Sequence, residues 1–333
     1  MADYEDILLQ TADLVHLDRD VIWATDWKAL RGFHARRLLD IWRRFWWPTL
    51  TRTEQRFFRN DWSAATTYAA GAEVYYAPEG TYYQALQAST NEAPADTAGT
   101  VNTAYWVACQ RSWSTEDYLT TTTYALAAQV SYGGKNYQMH TVSGVAGTLP
   151  TDTTYWAELL DFNPYIALDQ TWEAQEIGDV LECWNLNPQV TTRAERLDWS
   201  LSNNGIQVES AATYAWVEFR IPCPRLKGDV WDADETYAVG DQVYSEPNFY
   251  DCVVATAAGE SPITTPTSWS VVNIPDDFEQ YLICGAAADW ERSRANLELA
   301  NFHEGMATSE RNDLQSRYTA FQGQLRRTIV LTR

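Results

Sequence analysis

Residues 66–85 read TTYAAGAEVYYAPEGTYYQA, and the pattern inside this stretch returns twice more along the chain. The first repeat carries Tyr68, Gly71, Val74, Tyr82 or Tyr83, Pro94 and Trp106. The second carries Tyr124, Ala127, Val130, Tyr137, Pro150 and Trp156, and the third Tyr237, Gly240, Val243, Tyr250, Pro262 and Trp269. The first tyrosine is followed at the third place by glycine or alanine and at the sixth by valine in all three, the signature of a tandem structural unit. A further aromatic precedes each first tyrosine by six residues: Trp62, Tyr118 and Trp231.

Each repeat reads as a small three-stranded β module. Residues 74–76 alternate as a strand, Ala-Pro-Glu-Gly at 77–80 turns, and 81–88 returns as the second arm of a hairpin. Glycine at the third place suits a backbone with positive φ. A module of about 45 residues without metal or disulfide buries little surface, so its large aromatic residues must supply the core.

The repeat resembles the small chitin-binding modules attached to bacterial chitinases, with their Tyr-x-x-Gly-x-x-Val run, second aromatic strand, proline and closing tryptophan. That resemblance implies contact with a glycan through stacked rings. The modules it resembles carry adjacent exposed tryptophans near their end. Here YWVAC, YWAEL and SWSVV offer one tryptophan followed by small or apolar residues, which reads as core. Tyr75, Tyr76 and Tyr82 are therefore the candidate glycan-stacking residues.

The 333 residues suffice for two or three domains. Net charge is −21, which argues against a grip on nucleic-acid phosphates or on an anionic membrane. Residues 61–157 hold eight carboxylates against Arg111 and Lys135, a net of −6; residues 229–274 hold eight and no Lys or Arg, a net of −8. Five separated cysteines with no Cys-x-x-Cys pair suggest neither a disulfide framework nor a zinc site, and read as buried thiols. The N-terminal MADYED is acidic where a signal peptide is basic and then apolar, so folding in a cytoplasm is expected.

Outside the repeats lie residues 1–60, 158–228 and 275–333. Helices are expected over 4–14 and, behind Asp26 as N-cap, over about 26–46, with Leu30, Phe33, Leu38, Ile41 and Phe45 as an apolar stripe. The opposite face carries Lys28, Arg31, Arg36, Arg37, Arg43 and Arg44, which reads as a face paired with an acidic neighbour. Residues 177–188, 196–209 and 214–224 alternate with period two, and Asn-Asn-Gly at 203–205 marks a hairpin turn. Helices return over 276–294 and 296–325. RRTIVLTR (326–333) then reads as an extended basic arm.

The expected fold is α+β: a four-helix bundle built from N- and C-terminal helices, a central β section, and three small inserted all-β modules hanging from loops. Its divisions fall at 1–60, 61–157, 158–228, 229–274 and 275–333. The run RRLLDIWRRFWWPTLTRTEQRFF (36–58), the central β insertion and DDFEQYLICGAAADWERSRAN (276–296) together look like head-to-tail adaptor proteins of tailed bacteriophages. That resemblance implies a homo-oligomeric ring, usually of twelve copies, in the virion neck. Its partners would be the portal ring and a tail or second adaptor protein, and genomic DNA would pass through the middle. It also implies a portal-docking arm (Arg326, Arg327, Ile329, Val330, Leu331, Arg333) and packing between subunits through Trp42, Trp46, Trp47, Tyr281 and Trp290.

Catalysis is not expected. His16, His34, His140 and His303 show no partner pattern; HEGMA at 303–307 lacks the second histidine of a zinc motif, so His303 reads as solvent-facing. No nucleophile elbow, phosphate loop or dinucleotide fingerprint occurs, Asp276 and Asp277 read as helix-dipole partners, and no cofactor is implied. Two function classes remain: a virion assembly protein, or a polysaccharide-binding tail fibre or adhesin that touches cell-surface glycan.

Overall fold

A computed structural model describes residues 2–19, 26–141, 146–168, 176–209 and 213–330, with side chains described as far as residue 319. The chain forms two compact units, residues 1–50 with 222–333, and residues 51–221. The first two repeats lie in the latter and the third in the former.

All three repeats build one design. The register pairs Val74 with Tyr83, Val130 with Tyr137 and Val243 with Tyr250, so Tyr83 is the residue that recurs. Behind each hairpin runs the strand that opens on the closing tryptophan: Trp106–Ala108, Trp156–Leu159 and Trp269–Val271. On the other side the incoming chain pairs in parallel, as strands Glu116–Asp117 and Asp229–Val230 and as a single bridge at Asp61. The first tyrosine meets the closing tryptophan edge-on in each: Tyr68–Trp106 at 5.5 Å, Tyr124–Trp156 at 5.3 Å and Tyr237–Trp269 at 5.4 Å between centroids. Its hydroxyl accepts the N–H of the residue five places earlier, at 2.7 Å from Ser63, 2.8 Å from Leu119 and 2.8 Å from Asp232.

Positive φ at the third place is universal: Gly71 at 85°, Gly240 at 91° and Ala127 at 66°. Alanine carries the steric penalty of that conformation, about 1–2 kcal/mol, and glycine gives back part of it in chain entropy. Ala127→Gly is therefore expected to stabilise the second repeat by about 1 kcal/mol, read as a raised midpoint in urea; an unchanged or lowered midpoint contradicts the strain argument.

The central β section is two antiparallel sheets. One orders Thr51–Phe57, Tyr214–Arg220 and Asp179–Trp184; the other orders Tyr165–Ile166, Gly205–Glu209 and Asp198–Ser202. Alternation sends Ala215, Val217 and Phe219 into a shared core with Ile166, Ile206 and Val208. The 203–205 turn joins the paired Ser202 and Gly205, and a Cβ on Gly205 would lie 2.1 Å from the Ile166 carbonyl oxygen, so only glycine fits.

The described helices are α1 (Tyr4–Leu14), α2 (Trp27–Arg44), α3 (Glu279–Ser293) and α4 (Leu297–Val330). They do not form the expected four-helix bundle. A bundle helix buries one stripe and wets the other face. Instead α3 is buried continuously from Tyr281 to Glu291, with α1, α2 and α4 all packed against it. The reason is local: YLICGAAADW is apolar or small on every side except at Asp289, whose charge Arg37 meets, so this helix has no face to give to water.

Three further expectations are corrected. Asp26 precedes α2, but its side chain makes no capping bond. The basic C-terminal segment is not extended up to Val330: Arg326, Arg327, Ile329 and Val330 belong to α4, because adding a β-branched residue to a growing helix costs only tenths of a kcal/mol. Leu331 and Arg333 lie outside the described residues. His303 is buried, not solvent-facing.

Candidate functional site

The modules do not hang from loops. In the first repeat Tyr75 and Tyr82 pack against the central β section: Tyr75 against Phe57 at 4.5 Å, and Tyr82 stacked on Phe162 at 4.9 Å. The Tyr82 hydroxyl accepts the Phe58 N–H at 3.0 Å and donates to the Thr213 carbonyl. Burial raises the phenols of both tyrosines above their ordinary range, so both stay neutral.

In the third repeat the equivalent positions are Tyr244 and Phe249, and they seat the module on the helices. Tyr4 of α1 meets Phe249 at 4.7 Å and Tyr244 at 6.0 Å, while Trp27 of α2 meets Tyr244 at 5.8 Å. Lys28 and Arg31 reach Asp229 at 3.3 and 3.1 Å beside them. The second repeat has Ser131 and Asn136 at these places and attaches by another face. Gln84 of the first repeat donates to the Glu158 carbonyl at 2.8 Å and accepts the Leu160 N–H at 2.9 Å, like a borrowed strand.

The glycan candidates thus divide. Tyr82 is 4% exposed and closed to any sugar. Tyr75 is half-buried in the joint, and Tyr76, also half-buried, donates its hydroxyl to Ala95 O at 3.1 Å. A cleft of about 440 Å³ lies between the first two repeats, lined by Ala70, Leu86, Ala88, Ala157 and Leu160 among others. Of its lining residues only Glu158 is charged, and Lys135 holds that carboxylate at 2.8 Å. It offers packing space without convergent donors.

Compared with known protein families and with curated protein sequences, the chain matches none.

The residues expected between subunits are mostly spent inside the chain. Trp42, Trp47, Tyr281 and Trp290 are buried within the helical unit; the Trp47 indole donates to Ile41 O at 2.7 Å, and Tyr281 donates to Asp40 at 2.7 Å. Trp46 alone of the five is at the surface, 37% exposed. The basic face of α2 is paired over part of its length. Arg37 donates to Asp289 of α3 at 2.9 and 2.7 Å and to Glu304 of α4 at 3.1 and 2.6 Å. Arg36 and Arg43 stay exposed on the outer side.

Among the described residues no group of three His, Cys, Asp or Glu side chains is placed to hold a metal, and no helix is long and apolar enough to cross a membrane. None of the five cysteines is in a disulfide; Cys183, Cys252 and Cys284 are buried, Cys109 and Cys223 partly so. Asp277 accepts the Tyr318 hydroxyl, tying the start of α3 to α4. Phe57, Phe58 and Phe162, the seat of the first repeat, escaped the sequence reading. Their signal was the aromatic pair in repeats one and three set against Ser131 and Asn136 in repeat two.

Proposed function

We propose that the chain is a structural subunit of a tailed-phage particle: a head-to-tail adaptor that assembles as a ring in the virion neck, between portal and tail, around the path of the DNA. The observation that carries this reading is how the repeats use their aromatic surface. A polysaccharide binder presents rings to solvent, whereas Tyr75 and Tyr82 weld the first repeat to the central β section, and Tyr244 and Phe249 weld the third to the helices. The repeats are building parts here, and a building part suits an assembly protein.

The length of α4 adds support. It continues for twelve residues beyond Tyr318, whose hydroxyl meets Asp277 just ahead of α3. At 1.5 Å per residue that is about 18 Å of helix. Arg326 and Arg327 near its end suit an acidic groove on a portal ring, and one such helix per subunit multiplies a weak contact.

The test is imaging of the purified chain, alone and mixed with portal rings. A closed ring that binds the portal is the expected result, with loss of portal binding but an unchanged melting temperature after truncation at Leu325. A monomer that binds chitin or cell-wall polysaccharide overturns this reading in favour of a tail-fibre or adhesin role.

A further inference from the structure

One face of the repeat is covered in one copy and bare in another. Leu86, His140 and Val253 occupy the same position, because their N–H groups donate to Tyr105, Tyr155 and Ser268 O at 2.8, 3.0 and 2.9 Å. Each acceptor immediately precedes a closing tryptophan. In the first repeat Leu86 is 2% exposed, packed with Val107 against Leu159 and Trp113. In the third repeat Val253 is 47% exposed, Val254 54% and Val239 67%. These valines adjoin, since the Gly240 N–H donates to Cys252 O at 2.8 Å. The first repeat has Ala70 where the third has Val239, and Ala70 lines the cleft beneath the second repeat. The third repeat thus carries a larger apolar side chain at that place and leaves it in water, the mark of a surface that meets a partner.

Charge decides the occupant. Residues 229–274 carry eight carboxylates and no Lys or Arg, and of these Asp229 is paired with Lys28 and Arg31, so two copies of this repeat repel each other through the rest. The complement is on the same chain, on the outer side of α2. Gly32, Arg36, Leu39 and Arg43 recur there at helical spacing, all exposed. Among the described residues, neither Arg36 nor Arg43 takes part in an ion pair; Arg36 lies over the Phe33 ring at 5.6 Å. Nothing fills the 4 Å around a Cβ placed on Gly32.

We propose that the Val239–Val253–Val254 face of the third repeat receives the outer face of α2 from a second copy of this chain. Leu39 meets the valines, and Arg36 and Arg43 meet the surrounding carboxylates, Asp241 beside Val239 among them. Two different surfaces make the contact, so it runs head to tail and closes into a ring or continues as a filament. It rests on the assembly reading above and names the surface that reading needs.

The test uses the full chain and two exposed-site variants, Val253→Asp and the double change Arg36→Glu with Arg43→Glu, sized by sedimentation or mass photometry. The wild type is expected to form oligomers larger than dimers. Each variant alone is expected to be monomeric with the wild-type melting temperature. An equimolar mixture of the two variants should stop at dimers, because each mixed pair keeps one intact contact and has no second one to extend it. Variants that assemble like the wild type overturn the proposed surface while leaving the adaptor reading standing. A wild-type monomer overturns both. Variants that self-assemble normally but fail to join portal rings overturn it as well, by giving the surface to the portal.

Discussion

Arg37→Ala is expected to destabilise the helical unit by about 3–5 kcal/mol, the usual cost of breaking a buried ion pair from one side. The side chain of Arg37 is 12% exposed and bridges three helices, with Asp289 at 8% and Glu304 at 34%. Hydrogen bonding from Arg37 is the largest cause that holds the Glu304 carboxyl below its ordinary range. Arg292 also reaches Asp289 at 2.8 Å and Glu304 at 3.4 Å. With Arg37 gone, two carboxylates face that one half-exposed cation, and Asp289 stays buried among small residues of α3. Substituting Arg37→Met together with Asp289→Asn removes the stranded charge and should recover a substantial part of the loss. Denaturant melts of the three proteins decide the matter; a single-variant loss under 1 kcal/mol would mean that Arg292 and water suffice.

Acid should loosen the same unit well before its carboxylates titrate. His34 is fully buried on α2. The Thr11 hydroxyl donates to Ile7 O at 2.7 Å, so at the 3.0 Å contact with His34 it accepts from Nε2–H. That leaves Nδ1 to accept the Tyr4 hydroxyl at 3.3 Å. One ring proton satisfies both contacts, and a second has no acceptor. Burial pushes the imidazole down to about 3, against about 6.5 in the unfolded chain. Below 6.5 the unfolded chain gains a proton that the folded chain refuses. Stability from this group is thus complete above about pH 6.5 and falls as pH drops towards 3. Between pH 7 and pH 5 the loss is about 2 kcal/mol. His34→Gln should be less stable at pH 7 but nearly flat across that window. An equally steep decline in the variant would assign the acid sensitivity elsewhere.

The threefold repeat was legible because its spacing is set by backbone needs. A positive φ at the third place, a valine facing a tyrosine across the hairpin, and a tryptophan edge against the first tyrosine each demand a residue type at a fixed interval. The helices were legible within three residues at their N-termini for the same kind of reason. The bundle was not, because periodicity says which helix has an apolar stripe but not which one lies in the middle. The clue lay in Gly285, Ala286, Ala287 and Ala288, whose small side chains let three neighbours approach one helix. Tyr75, Tyr76 and Tyr82 stood as glycan candidates because the closing tryptophans of the repeat read as core. An exposed aromatic and one about to be covered by Phe57, Phe58 and Phe162 look alike in sequence.

What the sequence by itself determined is the local design: three β modules with aromatic cores, a β section of alternating strands, and helices at either end. These follow from interactions between residues close along the chain, or at repeating intervals within it. What only the tertiary structure decided is which surfaces are spent and which remain. Leu86 and Val253 share one position and one backbone bond, yet one is buried and the other bare. That difference depends on whether a second module lies over the face, a contact between distant segments that no local pattern encodes.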